Sequence, residues 1–195
     1  MHETPIARRI AFIVEIDKLK GVLRKNKPVT LERYENAAEH SWQVALLALT
    51  LAPHAPVALD IERVIRLLLV HDIGEIDSGD TLFYAASAED KAEEAEGARR
   101  IFSLLPPAQA AEMFALWEEF EAAQSAEARF ARAMDRLMPI LLNLNREGQS
   151  WRENGVRADD VRSRAASQVD AGCPDAGRWL ADALENAEAR GYFAR

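Results

Sequence analysis

The chain has 195 residues, with 24 Lys and Arg against 32 Asp and Glu, which gives a formal net charge of −8. A composition of 49% hydrophobic and 29% charged residues excludes a disordered chain, and the acidic balance argues against broad nucleic-acid binding, whose affinity comes largely from phosphate neutralisation. The single Cys173 excludes an intrachain disulfide and no apolar run approaches the roughly 20 residues that span a bilayer, so we expect a cytoplasmic protein.

The composition favours helices, because 35 Ala stand against 24 Val, Ile and Thr together. Residues typical of helix starts recur at Thr4-Pro5, in a capping box from Asn36 to Glu39, and at Asp60, Ser87 and Ser125. Apolar periodicity after these caps predicts helices near residues 5–23, 37–52, 61–74, 88–104, 107–124, 126–147, 156–171 and 175–190. No segment shows the period-2 alternation of a strand, so we predict an all-α fold.

The second predicted helix carries His40 one turn inside its start, in the segment ENAAEHSWQVALLAL. Taken alone, such a histidine is more typical of a surface position or of a buried ring with a hydrogen-bond partner. Two further histidines, His2 and His54, are expected to be exposed. His40 becomes a candidate ligand only together with acids on later helices.

The third predicted helix places an acid on its apolar face. Ile61, Ile65 and Leu68 share one face, and Asp72 lies at the centre of that face with His71 beside it. Burial of an unpaired carboxylate costs several kcal/mol or more. Asp72 therefore needs a cation, a proton or dense hydrogen bonding.

Asp135 presents the same problem in the segment FARAMDRLMPILLNLN, where it aligns with the apolar Ala131 and Met138. Pro139 has no N–H for the Asp135 carbonyl, so we expect the helix to bend there. A structural pair with Arg136 is one explanation of this acid. The order His, His-Asp, Asp on three separate helices favours a metal site instead, with nitrogen and oxygen ligands that suit Mn, Fe, Co, Ni or Zn.

The segments ENAAEHSW, LLLVHDIGEIDSGD and AMDRLMPILLN resemble the HD-domain superfamily of metal-dependent phosphohydrolases, in particular its YfbR-like 5′-deoxynucleotidase branch. The resemblance extends from DKLKGVLR near residue 17 to SWRENGV near residue 155. It implies a single HD-domain helical bundle over residues 1–195, with the metal-site core at about 30–150 and the C-terminal helices 151–195 packed on it. It also implies one divalent ion (Mn, Co, Mg, Fe, Ni or Zn) held by His40, His71, Asp72 and Asp135.

Two acids follow the HD pair. Glu75 lies four residues after His71, one turn along if the helix continues, and Asp80 follows in the turn SGD. Phosphomonoester hydrolysis requires an in-line water, a cation and a proton for the leaving oxygen, and carboxyl groups can orient the water or supply the proton. By resemblance, Glu75 and Asp80 are the two catalytic acids, with the roles of acid and base left open. We expect Asp77 to be solvated.

Six of the 24 basic residues lie between positions 18 and 33. The dipole of the first helix would by itself favour cations near its end, but we predict that Arg24 and Arg33 bind the substrate phosphate, because arginine makes bidentate phosphate contacts. In the family, an arginine–tryptophan pair here contacts the sugar and sets a preference for 2′-deoxyribose. Arg24 matches the arginine and Lys25 stands in place of the tryptophan, so deoxynucleotides, ribonucleotides and other phosphate esters stay open as substrates.

The resemblance therefore predicts an enzyme that hydrolyses the 5′-phosphomonoester of small-molecule nucleotides, with no nucleic-acid or membrane partner. Related cyclic-nucleotide phosphodiesterases and di-iron oxygenases use extra histidines before the last Asp, and this chain has none after His71. Hydrolysis of deoxynucleoside triphosphates or ppGpp, and a metal-binding but inactive regulatory domain, are the alternatives. Members of this branch are commonly dimers, which implies a homodimer, and the Ala-rich helices near 88–124 are the expected surface.

Overall fold

The structure is a computed structural model that describes residues 4–194, so the predicted exposure of His2 lies outside it, whereas His54 is exposed as predicted. Helices α1 to α11 are, in order, Pro5–Ile16, Ala37–Leu51, Ile61–Val70, Glu75–Ser78, Ala88–Phe102, Pro107–Ala122, Ala126–Asn145, Gln149–Glu153, Ala158–Asp160, Ser167–Gly172 and Pro174–Ala189. Two 3-10 helices, Asp17–Gly21 and Ala52–His54, and a π-helical segment, Val161–Ala166, lie between them. Within the described residues the only extended pairing is one bridge from Leu23 to Asn36, which confirms the all-α fold.

The starts of five helices are fixed by the residues that the sequence predicts as caps. A backbone N–H of the first turn donates to the side chain of Thr4, Asn36, Asp60, Ser87 and Ser125. At α2 the capping box is complete, because the backbone N–H of Asn36 also donates to Glu39 at 2.8 Å. Each such bond satisfies a group that has no partner inside the helix, which is why these starts agree with the prediction.

Helix α7 forms the centre of the bundle. It contacts α2, α3, α6 and α10, and Phe130, Met134 and Leu137 are among its buried residues. The helix runs through Pro139 to Asn145 without interruption. One hydrophobic core cluster extends from Phe12 on α1 to the C-terminal tail. Asp135 is thus placed in the middle of the most buried helix.

Helix α3 ends earlier than predicted. It stops at Val70, with His71 as its C-cap, and a turn leads into the short α4. The turn carries Gly74 so close to α5 that a Cβ there would lie 2.3 Å from the carbonyl oxygen of Glu94. The predicted continuation to residue 74 is therefore wrong, and the cause is a tertiary contact that the local sequence does not reveal.

The C-terminal part packs back onto the bundle. Helix α10 contacts α7, and the ring of Trp151 on α8 stacks on Phe193 with centroids 4.4 Å apart. The predicted helix over 156–171 is divided into α9, the π-helical segment and α10. Helices α4 and α8 were not predicted, because four or five residues are too few to display a period. Among residues 4–194, no helix is both long enough and apolar enough to cross a membrane.

Candidate active site

Three separate parts of the bundle bring the predicted ligands together. His40 projects from α2, His71 and Asp72 follow the end of α3, and Asp135 projects from α7. Nε2 of His40 lies 3.0 Å from Oδ1 of Asp135. Nε2 of His71 lies 3.0 Å from Oδ1 of Asp72 and 3.4 Å from Oδ1 of Asp135. All four side chains are buried.

The ring of His71 is held by its surroundings. Nδ1 of His71 lies 2.7 Å from the carbonyl oxygen of Leu68, which fixes Nε2 toward the acids. Nε1 of Trp117 donates to the carbonyl oxygen of His71 at 3.1 Å, and the Phe120 ring lies 4.9 Å from the His71 ring between centroids. This orientation matches histidine ligands whose second nitrogen bonds a backbone carbonyl.

The donor set fits a divalent ion. Ligand atoms of His40, His71 and Asp72 all lie within 4.8 Å of one another, and Nε2 of His71 is buried without a hydrogen-bond partner among the described residues. Ligands at about 2.1 Å from a common ion are separated from one another by roughly 3 to 4 Å. A buried polar atom without a partner is costly, so a bound ion explains both the spacing and the free nitrogen.

The charges of the cluster lead to the same conclusion. Burial lowers the pKa of His71, but Asp72 and Asp135 outweigh it and raise the pKa to about 9. Burial and the neighbouring Arg24 lower the pKa of His40 to about 4. Burial raises the pKa of Asp135, but Arg136 and the histidines hold it well below its ordinary value. The cluster thus retains a proton beside two acids in the absence of metal, and a divalent ion would take the place of that positive charge.

The two predicted catalytic acids face the same cleft. Glu75 opens α4 and is buried, and its Oε2 has no hydrogen-bond partner within residues 4–194. Burial and the nearby Asp72 raise the pKa of Glu75 well above its ordinary value. Burial also raises the pKa of Asp80, although Arg24 opposes the rise. The helix does not continue from His71 to Glu75 as expected, yet the turn between them still delivers both side chains to one cleft.

Arg24 lies inside the cleft and Arg33 does not. Nη1 of Arg24 donates to Oδ2 of Asp72 at 3.0 Å and lies 3.5 Å from Oδ1 of Asp80. Arg33 is 52% exposed at its side chain and donates to both carboxylate oxygens of Glu39. Its guanidinium pairs with Glu39 in the capping box of α2. The structure therefore does not bring Arg33 to the predicted phosphate site.

Glu35 is a buried member of the cluster that the sequence did not indicate. Its Oε1 lies 3.5 Å from Nε of Arg24 and 3.7 Å from Nδ1 of His40, and burial raises the pKa of Glu35 to about 7 despite Arg24. The backbone N–H of Arg24 donates to the Glu35 carbonyl at 2.9 Å, which aligns the two segments. Glu35 lies outside any helix, so no apolar stripe could have marked it.

A cavity of about 480 Å³ opens from this cluster, within the range of small-molecule sites. Beyond the predicted residues its wall includes Phe83, Glu94, Arg132 and Arg136. Gln168 also lines it from α10, although the sequence assigned no chemistry to the C-terminal helices. Asp77 is exposed, as expected, and pairs with Arg100 outside the cleft.

The chain is similar to proteins of one family over most of its length. The HD domain family profile matches residues 16–176. A solved structure of a predicted metal-dependent phosphohydrolase from Magnetospirillum magnetotacticum MS-1 is 44% identical, with a TM-score of 0.92 over 98% of this chain and 99% of the other. The PH0347 protein of Pyrococcus horikoshii OT3 is 22% identical, with a TM-score of 0.62 over 93% of this chain and 99% of the other, and shows similarity of fold alone.

Among curated proteins, human 5′-deoxynucleotidase HDDC2 is 33% identical over 135 residues, which are 68% of this chain and 65% of the human protein. The Xenopus laevis 5′-deoxynucleotidase HDDC2 is 32% identical over 143 residues, or 69% of each chain. This chain thus spans slightly less than two thirds of the human relative.

Proposed function

Because the chain belongs to the HD domain family, we propose that it is a metal-dependent phosphohydrolase that releases phosphate from nucleoside or deoxynucleoside 5′-monophosphates. One observation carries the proposal. Two buried histidines and two buried aspartates from three helices converge at separations of 3.0 to 3.9 Å, at one end of a cavity that also contains Glu75 and Asp80. The names of the curated relatives support the substrate class.

His40, His71, Asp72 and Asp135 would hold the ion. A divalent ion bound there would supply positive charge for the phosphate oxygens and lower the pKa of a water molecule. Arg24 adds a fixed guanidinium beside Asp72, which suits bidentate phosphate contact. Because the cluster is buried, the local dielectric constant is lower than that of water, and the attraction between these charges and a phosphate is stronger.

We assign the proton-holding role to Glu75. Burial and Asp72 raise its pKa well above the ordinary value, so one of its carboxyl oxygens holds a proton that can pass to the leaving oxygen of the ester. Asp80 lies 3.5 Å from Nη1 of Arg24, which opposes the rise that burial causes in the pKa of Asp80. As a carboxylate, Asp80 can orient the attacking water or accept its proton. Two acids whose surroundings differ in this way divide acid and base work between them.

The test is phosphate release from a panel of ribo- and 2′-deoxynucleoside 5′-monophosphates with Mg²⁺, Mn²⁺, Co²⁺ or a chelator. Asp72→Ala removes a proposed ligand, and Asp77→Ala is its matched control, because Asp77 is an exposed acid five residues away that pairs with Arg100. We expect metal-dependent release that is lost in Asp72→Ala and kept in Asp77→Ala. The ratio of deoxy- to ribonucleotide rates shows whether Lys25 relaxes the choice of sugar. No release from the folded protein with any metal would contradict the proposal.

We also propose that the protein is a homodimer in which helix α2 supplies part of the interface. Trp42, Leu46 and Leu49 lie on one face of α2 at spacings of four and three residues, and their side chains are 65%, 48% and 51% exposed. Exposed apolar patches of this kind mark protein–protein contacts. The described residues at 88–124, the predicted surface, include no exposed large apolar side chain.

The single-domain organisation over residues 1–195 is likewise a proposal, supported by the one core cluster that includes both Phe12 and Phe193. A cytoplasmic location stays a prediction, consistent with the free, buried Cys173.

A further inference from the structure

Helix α7 presents two arginines one turn apart to the cavity. Arg132 and Arg136 both line it, four residues apart, which separates their Cα atoms by about 6 Å along the helix axis. Like charges at this spacing destabilise a helix. Burial and the neighbouring Arg136 lower the pKa of Arg132. Two cationic side chains at this spacing favour the binding of an anion between them.

Within the described residues, little neutralises Arg132. Its Nη1 donates to the carbonyl oxygen of Glu121 at 2.9 Å, and its Nε is buried without an acceptor among the described residues. Glu121, Asp135 and Glu94 are the nearby acids, but none of them forms an ion pair with Arg132. Glu121 pairs with Lys91, and Asp135 pairs with Arg136. Arg132 therefore keeps one guanidinium N–H, on Nε, without an acceptor among the described residues.

Arg136 is held in place by an acid and an aromatic ring, and its Nε lacks an acceptor among the described residues. Nη1 lies 3.0 Å from Oδ2 of Asp135, and the guanidinium carbon lies 3.9 Å from the centroid of the Phe83 ring. The backbone of Phe83 is also held, because Nη2 of Arg164 donates to its carbonyl oxygen at 3.0 Å. Nε of Arg136 is buried and has no acceptor within residues 4–194. An arginine fixed on one face by an aromatic ring loses little entropy when it binds an anion.

We propose that Arg132 and Arg136 form a subsite for a second phosphate group of the substrate, distinct from the phosphate that reacts at the metal centre. The reacting phosphate already has Arg24, 3.0 Å from Asp72, whereas Arg132 lies a helical turn beyond Asp135. Arginine pairs bind phosphate through charge-assisted, bidentate hydrogen bonds. The substrate class is then a nucleotide that carries two phosphate groups, such as a nucleoside 3′,5′-bisphosphate. This inference depends on the proposed phosphohydrolase function.

The first experiment measures anion binding without metal. Inorganic pyrophosphate is titrated calorimetrically into the wild-type protein and into Arg132→Gln, Arg132→Lys and Arg136→Gln, all with chelator present. Arg129→Gln is the matched control, because Arg129 is an exposed arginine on the same helix and does not line the cavity. We expect binding by the wild type, a loss of about tenfold or more in both glutamine variants, and no change in Arg129→Gln.

Folding is checked by the melting temperature of each variant. Since Arg132→Gln removes one of two like charges, we expect it to fold. Arg132→Lys keeps the charge and loses the bidentate contact, so its affinity for pyrophosphate should lie between those of the wild type and Arg132→Gln. Equal weakening in Arg129→Gln, or no binding of pyrophosphate by the wild type, would overturn the inference.

The second experiment compares kcat/KM for a nucleoside 3′,5′-bisphosphate and the matching 5′-monophosphate. We expect the wild type to prefer the bisphosphate and the ratio to fall about tenfold in Arg132→Gln. If neither ester reacts while pyrophosphate binding still depends on Arg132, the proposed function fails and the subsite stands. If both esters react with the same ratio in wild type and variant, the subsite is wrong and the function stands.

Discussion

Glu94 is a carboxyl group in the wall of the cleft that does not belong to the proposed ligand set. Burial, Glu121 and Asp72 raise the pKa of Glu94 to about 7. A carboxyl that binds its proton more tightly in the folded state destabilises that state once the proton is lost. The chain therefore retains a half-buried acid on α5 that costs stability at neutral pH.

Replacement of this acid gives a pH-dependent prediction. The pKa of Glu94 rises from 4.5 to about 7 on folding, so Glu94→Gln should stabilise the protein above pH 7, by at most about 3 kcal/mol. The gain should shrink as the pH falls and disappear below about 4.5, where the carboxyl is protonated in both states. Urea unfolding across this range, with chelator present, measures it. Glu96→Gln, an exposed acid on the same helix, is the control, and a gain independent of pH would contradict the explanation.

The residues that could be predicted are those that interrupt a pattern. Asp72 and Asp135 stand on apolar stripes, and the HD pair and its neighbours resemble a known family, so the metal cluster and the two catalytic acids were candidates from the sequence. Glu35 lies in an irregular segment, and Arg132 looks like an ordinary solvated arginine on a helix. The burial of Glu35 and the partial burial of Arg132 follow from how the elements pack, which a single sequence does not show.

Among the elements, the join between α7 and α8 depends on one glycine. Gly148 has a φ of +73°, and a Cβ there would lie 1.8 Å from the carbonyl oxygen of Tyr192. Gly191 has a φ of +75° with no atom within 4 Å of an added Cβ. The two positions share the backbone conformation and differ only in the contact.

We expect Gly191→Ala to cost about 1–2 kcal/mol for the left-handed conformation alone. Gly148→Ala should cost about 1–3 kcal/mol more, because the methyl group must displace the C-terminal tail. The unfolding free energies of the two variants, from urea titrations, measure the difference. Equal losses would show that the tail does not pack closely against α8.

The helix ends illustrate what local sequence specifies. Starts with a side-chain cap agree with the prediction, because the capping oxygen and the backbone N–H that donates to it lie within three residues. The end of α3 at Val70 does not agree, and the turn that follows it brings Gly74 against α5, a contact between elements that local sequence does not specify. That turn is what directs Glu75 into the cleft, so this departure from the predicted helix is part of the site.

At the scale of the whole molecule, the exposed face of α2 is the proposed contact between two copies. A stable interface buries about 1,200–2,000 Å² in total, and apolar anchors such as tryptophan contribute most of its energy. Light scattering after size-exclusion chromatography should give a dimer for the wild type. A monomer is expected for the double variant Trp42→Glu, Leu46→Glu.

Trp179→Ser is the control for this experiment, because Trp179 is 54% exposed on α11 and lies outside the α2 face. It should remain a dimer. A wild-type monomer, or a dimer in the double variant, would remove α2 from the interface.

The measurement that tests the central claim most directly is a metal titration of phosphate release. Protein is stripped with chelator, Mn²⁺ or Co²⁺ is added in steps, and turnover of a nucleoside 5′-monophosphate is recorded for the wild type, Asp135→Asn and Asp77→Asn. We predict that activity rises with added metal and saturates at one ion per chain in the wild type and Asp77→Asn, and that Asp135→Asn stays inactive at this ratio. Full activity of the stripped protein, or saturation that is unchanged in Asp135→Asn, would contradict a metal centre built from His40, His71, Asp72 and Asp135.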